Sequence, residues 1–103
     1  MIPMEKRTPH CRLSRVKALV AAGRVRTTRV ATLCARRLGI EGVWGMCEVV
    51  MALTPQDFHK SMTSHADFRV WQDVYHGRTA AGLAVYMKLI VMDDVLIVSF
   101  KEL

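Results

Sequence analysis

The stretch YMKLIVMDDVLIVSFK, residues 86–101, decides the fold. Its apolar character suggests a membrane span, but Lys88, Asp93 and Asp94 interrupt it, and a span needs roughly 20 nearly uncharged residues. It therefore reads as two β-strands turning at Asp93-Asp94, the only polar break, since hairpin loops commonly hold about two residues. That turn sets Met92 opposite Val95, Ile90 opposite Ile97, Lys88 opposite Ser99 and Tyr86 opposite Lys101. Strand side chains alternate, so these eight share one face. The other face is Met87, Leu89 and Val91 against Phe100, Val98 and Leu96. Being wholly apolar it belongs against a core, which turns Tyr86, Lys88, Ser99 and Lys101 outward.

Upstream, Phe58 to Ser64, Phe68 to Tyr75 and Leu83 to Met92 are further strand candidates, joined by short polar or glycine-bearing turns, and Val95 to Lys101 is the last. Short connections favour an antiparallel meander. With a three-residue turn at His65 to Asp67, Lys60 sits opposite Gln72. The N-terminal half reads as helices. Thr8-Pro9 has the form of a cap with a first-turn proline, and Leu13, Val16 and Val20 follow at helical spacing until Gly23. Residues 24–28 form a brief β-branched stretch, after which Thr28 can cap a second helix with Val30, Leu33, Cys34 and Leu38 as its stripe. Met46, Val49, Val50 and Leu53 mark a third, reached through Gly42 to Gly45. Thr54 to Asp57 caps one turn. Helices followed by strands make an α+β domain, with the N-terminal helices packed on one face of a curved antiparallel sheet and the other face open.

The chain of 103 residues suits one domain, 1–103, and its 51% apolar composition supports a packed core. Cys11, Cys34 and Cys47 are odd in number and too widely spaced for a metal knuckle, so reduced thiols in the cytoplasm are the expectation. Glu5, Lys6 and Arg7 precede any apolar run, unlike a secretion signal. The net charge is +6, and residues 1–52 carry ten Lys/Arg against three acids, residues 53–103 five against six. Such a lopsided field draws polyanions such as RNA, although an ordinary basic surface or one that docks an acidic protein has the same composition.

The outward face thus gathers Lys60, Gln72, Tyr86 and Lys101, with no metal-binding cluster. On spacing alone, an ordinary solvated sheet face with edge lysines is the plainer reading of these positions. The chemistry open to the set is narrow. Cleaving RNA without metal requires moving the 2′-hydroxyl proton, stabilising the pentavalent phosphate and protonating the leaving 5′-oxygen. Lysines can hold the phosphate, and a tyrosine or a lysine of lowered pKa can handle protons. No Ser/His/Asp set, phosphate-binding glycine loop or HExxH motif is present, so those hydrolase and nucleotide-enzyme classes lose support.

Residues 5–10 (EKRTPH), 25–29 (VRTTR), 45–47 (GMC), 57–58 (DF), 60–63 (KSMT), 71–75 (WQDVY) and 94–102 (DVLIVSFKE) resemble, in order along nearly the whole chain, the MqsR toxins. The resemblance implies a RelE-like microbial RNase fold, ribosome-independent and metal-independent cleavage of messenger RNA at GC-containing sites, and neutralisation by an MqsA-type antitoxin. It implies no cofactor and an active site of Lys60, Gln72, Tyr86 and Lys101. Candidates for holding RNA are His59, Met62, Arg24, Arg26 and Arg29. There are departures: His59 and His65 stand where the family pattern has tyrosines, Gly77-Arg78 replaces a proline-bearing turn, and Met1 to Pro3 precede the usual start. A histidine beside Lys60 is a candidate for proton transfer, and exposed histidines in place of exposed tyrosines are the plainer reading. The competing readings are a non-catalytic nucleic-acid-binding module and a protein-interaction module that pairs a sheet edge with a partner strand.

Overall fold

The computed structural model describes residues 3–103, so Met1 and Ile2 of the extra N-terminal residues lie outside it. Along the chain run β1 (Glu5–Lys6), α1 (Leu13–Ala21), β2 (Val25–Thr27), α2 (Arg29–Arg37), α3 (Gly42–Met51), a 3-10 turn (Pro55–Asp57), β3 (Phe58–Thr63), β4 (Trp71–Arg78), β5 (Ala84–Val91) and β6 (Val95–Glu102). The strands form one sheet in the order β1-β3-β4-β5-β6-β2. The expected meander β3 to β6 is present. The sheet is not wholly antiparallel, because β2 pairs parallel with β6. No helix among the described residues is long and apolar enough to cross a membrane.

The helices cover one face. Val16 and Val20 of α1, and Met46, Val49 and Val50 of α3 with Leu53 just beyond it, pack on Val85, Met87, Leu89, Val95, Ile97 and Phe100. Each fully buried side chain of this size contributes about 1.5–3 kcal/mol. Two details of the helices differ from expectation. Thr8-Pro9 does not open α1, because the carboxylate of buried Asp73 takes the N–H groups of His10 and Cys11 at 2.9 and 3.0 Å and holds that segment against β4. On α2, Thr28 caps as expected, its Oγ1 accepting from the Ala31 N–H at 3.1 Å. The buried stripe is nevertheless Ala31 and Ala35, while Val30 and Leu33 are 69% and 43% exposed. Small residues let α2 approach β6 closely, and that geometry outweighs the larger side chains.

Register decides which residues reach the open face. Tyr86 faces Lys101 and Lys88 faces Ser99, as the sequence indicates. Nearer the turn the register differs: Val91 meets Val95, Ile90 meets Leu96, and Leu89 meets Ile97. Met92 joins Asp93 and Asp94 in the turn, its N–H bonded to the Asp94 carbonyl at 3.0 Å, and the one-residue shift is undone by a bulge that leaves Val98 unpaired. Consequently Val95 and Ile97, rather than Leu96 and Val98, lie in the core. Between β3 and β4 the connection runs from Ser64 to Val70, longer than expected, with the Ser64 N–H on the Val70 carbonyl at 2.8 Å. Lys60 therefore meets Val74, and Gln72 meets Met62.

Candidate active site on the open sheet face

Three rows of cross-strand neighbours cross the uncovered face. One runs Lys60, Val74, Lys88, Ser99. Beside it, His76, Tyr86 and Lys101 make the second. On the other side lie Glu5, Met62 and Gln72, followed by Ile90, Leu96 and Arg26. All four expected catalytic residues thus share this face. Lys60 and Gln72 stand diagonally in adjacent rows rather than as a direct pair.

The side chains interact across the rows. The Lys101 ammonium lies 5.0 Å from the centroid of the Tyr86 ring, over its face, an attraction worth about 0.5–1 kcal/mol at exposed sites. Burial raises the Tyr86 phenol above its ordinary value, so it keeps its proton at neutral pH. Lys60 donates to Glu5 Oε1 at 2.7 Å, and that hydrogen bond, reinforced by the lysine's charge, holds the Glu5 carboxyl below its usual range. Lys88 is half-buried between two other lysines. Burial first, then the Lys101 and Lys60 charges, lower its pKa. Gln72 is only 6% exposed, so its side chain does not project from the face.

Of the RNA-holding candidates, His59 and Met62 belong to this face. Arg26 does too, at the far end of the third row, where it forms a fork with Asp94 at 2.6 and 3.3 Å. Beside that fork Val70, Ile90, Met92 and Leu96 line a shallow hollow of about 420 Å³. Arg24 precedes β2 and Arg29 opens α2, so neither sits on the strands of the open face.

Two residues of the cluster did not emerge as site candidates from sequence. Alternation puts Lys88 on the face, but nothing in its spacing marks it as reactive. His76 lies past Tyr75, where the sequence indicates that the strand ends, whereas β4 continues to Arg78. The alternation Gln72, Val74, His76 was the available signal. The His76 ring stacks on His59, with centroids 4.3 Å apart and planes 24° from parallel, and lies 6.0 Å from the Tyr86 ring.

The arrangement offers three ammonium groups around a protonated phenol and two imidazoles, on a surface open to a long polyanion. Such a set can neutralise a phosphodiester and move protons beside it.

A family described as motility quorum-sensing regulator, toxin of MqsA, matches residues 8–102. The mRNA interferase toxin MqsR of Escherichia coli (strain K12) is 59% identical over 99 residues, which cover 96% of this chain and 99% of that relative.

Proposed function

The chain belongs to the MqsR toxin family, and from that premise we propose that it is the toxin of a toxin-antitoxin pair, an endoribonuclease acting on messenger RNA in the cytoplasm as a single domain, residues 1–103. The observation that carries the reading is the Tyr86–Lys101 cross-strand pair, with Lys60 and Lys88 in the adjoining row of the same face. A relative with 59% identity bears the name mRNA interferase.

The reaction begins with attack of a ribose 2′-oxygen on the adjoining phosphorus. Lys60, Lys88 and Lys101 stabilise the charge gathering on the phosphoryl oxygens, the step where electrostatic catalysis contributes most. Tyr86, kept protonated by burial, gives its proton to the leaving 5′-oxygen. Gln72 orients the nucleotide through its amide. The products are a 2′,3′-cyclic phosphate and a 5′-hydroxyl, and no step calls on a metal or other cofactor. Independence from the ribosome, cleavage at GC-containing sites and neutralisation by an MqsA-type antitoxin belong to the same proposal. The family description, toxin of MqsA, supports the last of these.

The test is incubation of the purified protein with a defined messenger RNA in EDTA, with mapping of the ends beside a Lys101→Ala control. Discrete cuts bearing 2′,3′-cyclic phosphates, lost in the variant, support the nuclease. Intact RNA with measurable, salt-sensitive binding supports the non-catalytic module instead.

A further inference from the structure

Strand β3 contains a bulge between Phe58 and Lys60. In a regular strand these two residues, two apart, would face the same way. Here Phe58 turns to the core and meets the Tyr75 ring edge-on at 5.5 Å, while Lys60 turns to the open face. His59 is the extra residue, and the bulge lays its ring over His76 on the same side as Lys60. Bulges re-aim side chains beside active sites, and this one delivers two consecutive residues of one strand to one face. Arg7 reaches the His59 carbonyl at 3.4 Å and braces the bulge from the segment after β1.

The site described above has an acid in Tyr86 but no assigned base. Resting on the endoribonuclease reading, we propose that His59 accepts the 2′-hydroxyl proton, and that His76 is the positioning residue that holds its ring against the phosphate site.

The other groups of this face are poorly suited to the task. Tyr86 retains its proton, the Glu5 carboxylate is engaged by Lys60, and Lys88, whose pKa is lowered, lies half-buried in the middle of the sheet. His59 is exposed, at the substrate side of the stack, while His76 lies half-buried between it and Tyr86. The groups facing His59 are Glu5 of β1, Arg7 after it, Lys60 of β3 and His76 of β4. Desolvation, then His76, Lys60 and Arg7, lower its pKa, against the opposing pull of Glu5. The imidazole is therefore neutral and ready to accept a proton near pH 7.

The step balances without a co-reactant. The 2′-O–H proton passes to His59 as the 2′-oxygen bonds to phosphorus. The P–O5′ bond breaks and Tyr86 protonates O5′. The imidazolium proton then returns through His76 or water to the Tyr86 phenolate, which restores the starting protonation.

The experiment is single-turnover cleavage of an RNA oligonucleotide as a function of pH, for the parent, His59→Gln, His59→Gly with and without added imidazole, and His76→Asn, with circular dichroism on each. The parent rate should rise through the acidic range as His59 loses its proton. His59→Gln should cut about 100-fold or more slowly and lose that rise. His59→Gly should recover in proportion to free-base imidazole. His76→Asn should keep the rise but move it to higher pH, because a neighbour disfavouring the His59 cation is gone, a shift that a purely structural role would not produce. A folded His59→Gln protein that keeps the parent's pH rise, at whatever rate, overturns the assignment of His59 while leaving the nuclease intact. A parent that leaves the RNA whole at every pH overturns the nuclease reading and this assignment with it.

Discussion

The Lys60 ammonium is 2.7 Å from the Glu5 carboxylate, so one of the three lysines proposed to meet the scissile phosphate is already neutralised by the first strand of the sheet. Phosphate and carboxylate compete for the same ammonium. Glu5→Gln should therefore tighten RNA binding a few-fold, read by fluorescence anisotropy with the Tyr86→Phe protein as the non-cleaving background. Acid acts in the same direction. Because Lys60 depresses the Glu5 carboxyl, the pair persists above the ordinary carboxylate range and dissolves only as pH falls through the lowered value. Unchanged or weaker binding by Glu5→Gln would mean that Lys60 does not meet the phosphate.

The Tyr86–Lys101 pair yields a second prediction. Tyr86→Phe removes the acid but keeps the ring, and Lys101→Ala removes one charge from the phosphate site while leaving the core untouched, since Lys101 is exposed. Both should lose about 100-fold or more in cleavage rate with near-parent melting temperatures. Cleavage by both at the parent rate, followed on a defined transcript, would remove this pair from the mechanism.

How far the sequence revealed this site depends on which rows are considered. Tyr86 and Lys101 were legible because alternation in a strongly apolar hairpin fixes sidedness, and the Val98 bulge cancels the turn's extra residue before the strand reaches them. The bulge itself was not legible: a valine within a mostly apolar strand carries no local mark of being unpaired. Nearer the turn, where nothing cancels the shift, simple alternation puts Leu96 and Val98 on the wrong face. The diagonal placement of Lys60 and Gln72 was hidden for a related reason, since Ser64 to Val70 has no turn signature that fixes its length. On α2, alanine is too weakly hydrophobic to advertise Ala31 and Ala35 as the buried stripe. The His59–His76 stack requires both the β3 bulge and the continuation of β4 past Tyr75; alternation could have carried the strand on to His76, but nothing in periodicity marks the bulge.

Asp73 supports a third prediction, on stability. It is buried, and its two carboxylate oxygens take the N–H groups of His10 and Cys11, tying the segment before α1 to β4. Hydrogen bonds to charged groups contribute about 1.5–3 kcal/mol each. Asp73→Ala should cost about 2–5 kcal/mol, measured by urea denaturation. Asp73→Asn, which keeps one acceptor, should cost less. Equal costs for the two would show that the carboxylate's paired bonds are not what holds this segment.

Lys88 sets stability against function. It is half-buried in the middle of the sheet, flanked in register by Val74 and Ser99, and its pKa is lowered by burial and by the charges of Lys101 and Lys60. The unfolded chain binds that proton more readily than the folded one. Stability should therefore rise with pH between the lowered value and the ordinary 10.5, and below that window the charged side chain should cost folding energy. Lys88→Met keeps the stem's packing without the charge. The variant should be more resistant to urea than the parent at neutral pH, and the difference should shrink in mild alkali, where the parent's lysine also loses its charge. Its affinity for RNA should fall, and the salt dependence of binding should weaken by about 0.7 in slope, one phosphate contact fewer on a single strand. A variant less stable than the parent at neutral pH would show that the ammonium is compensated in the folded protein, and an unchanged salt slope would place Lys88 outside the RNA path.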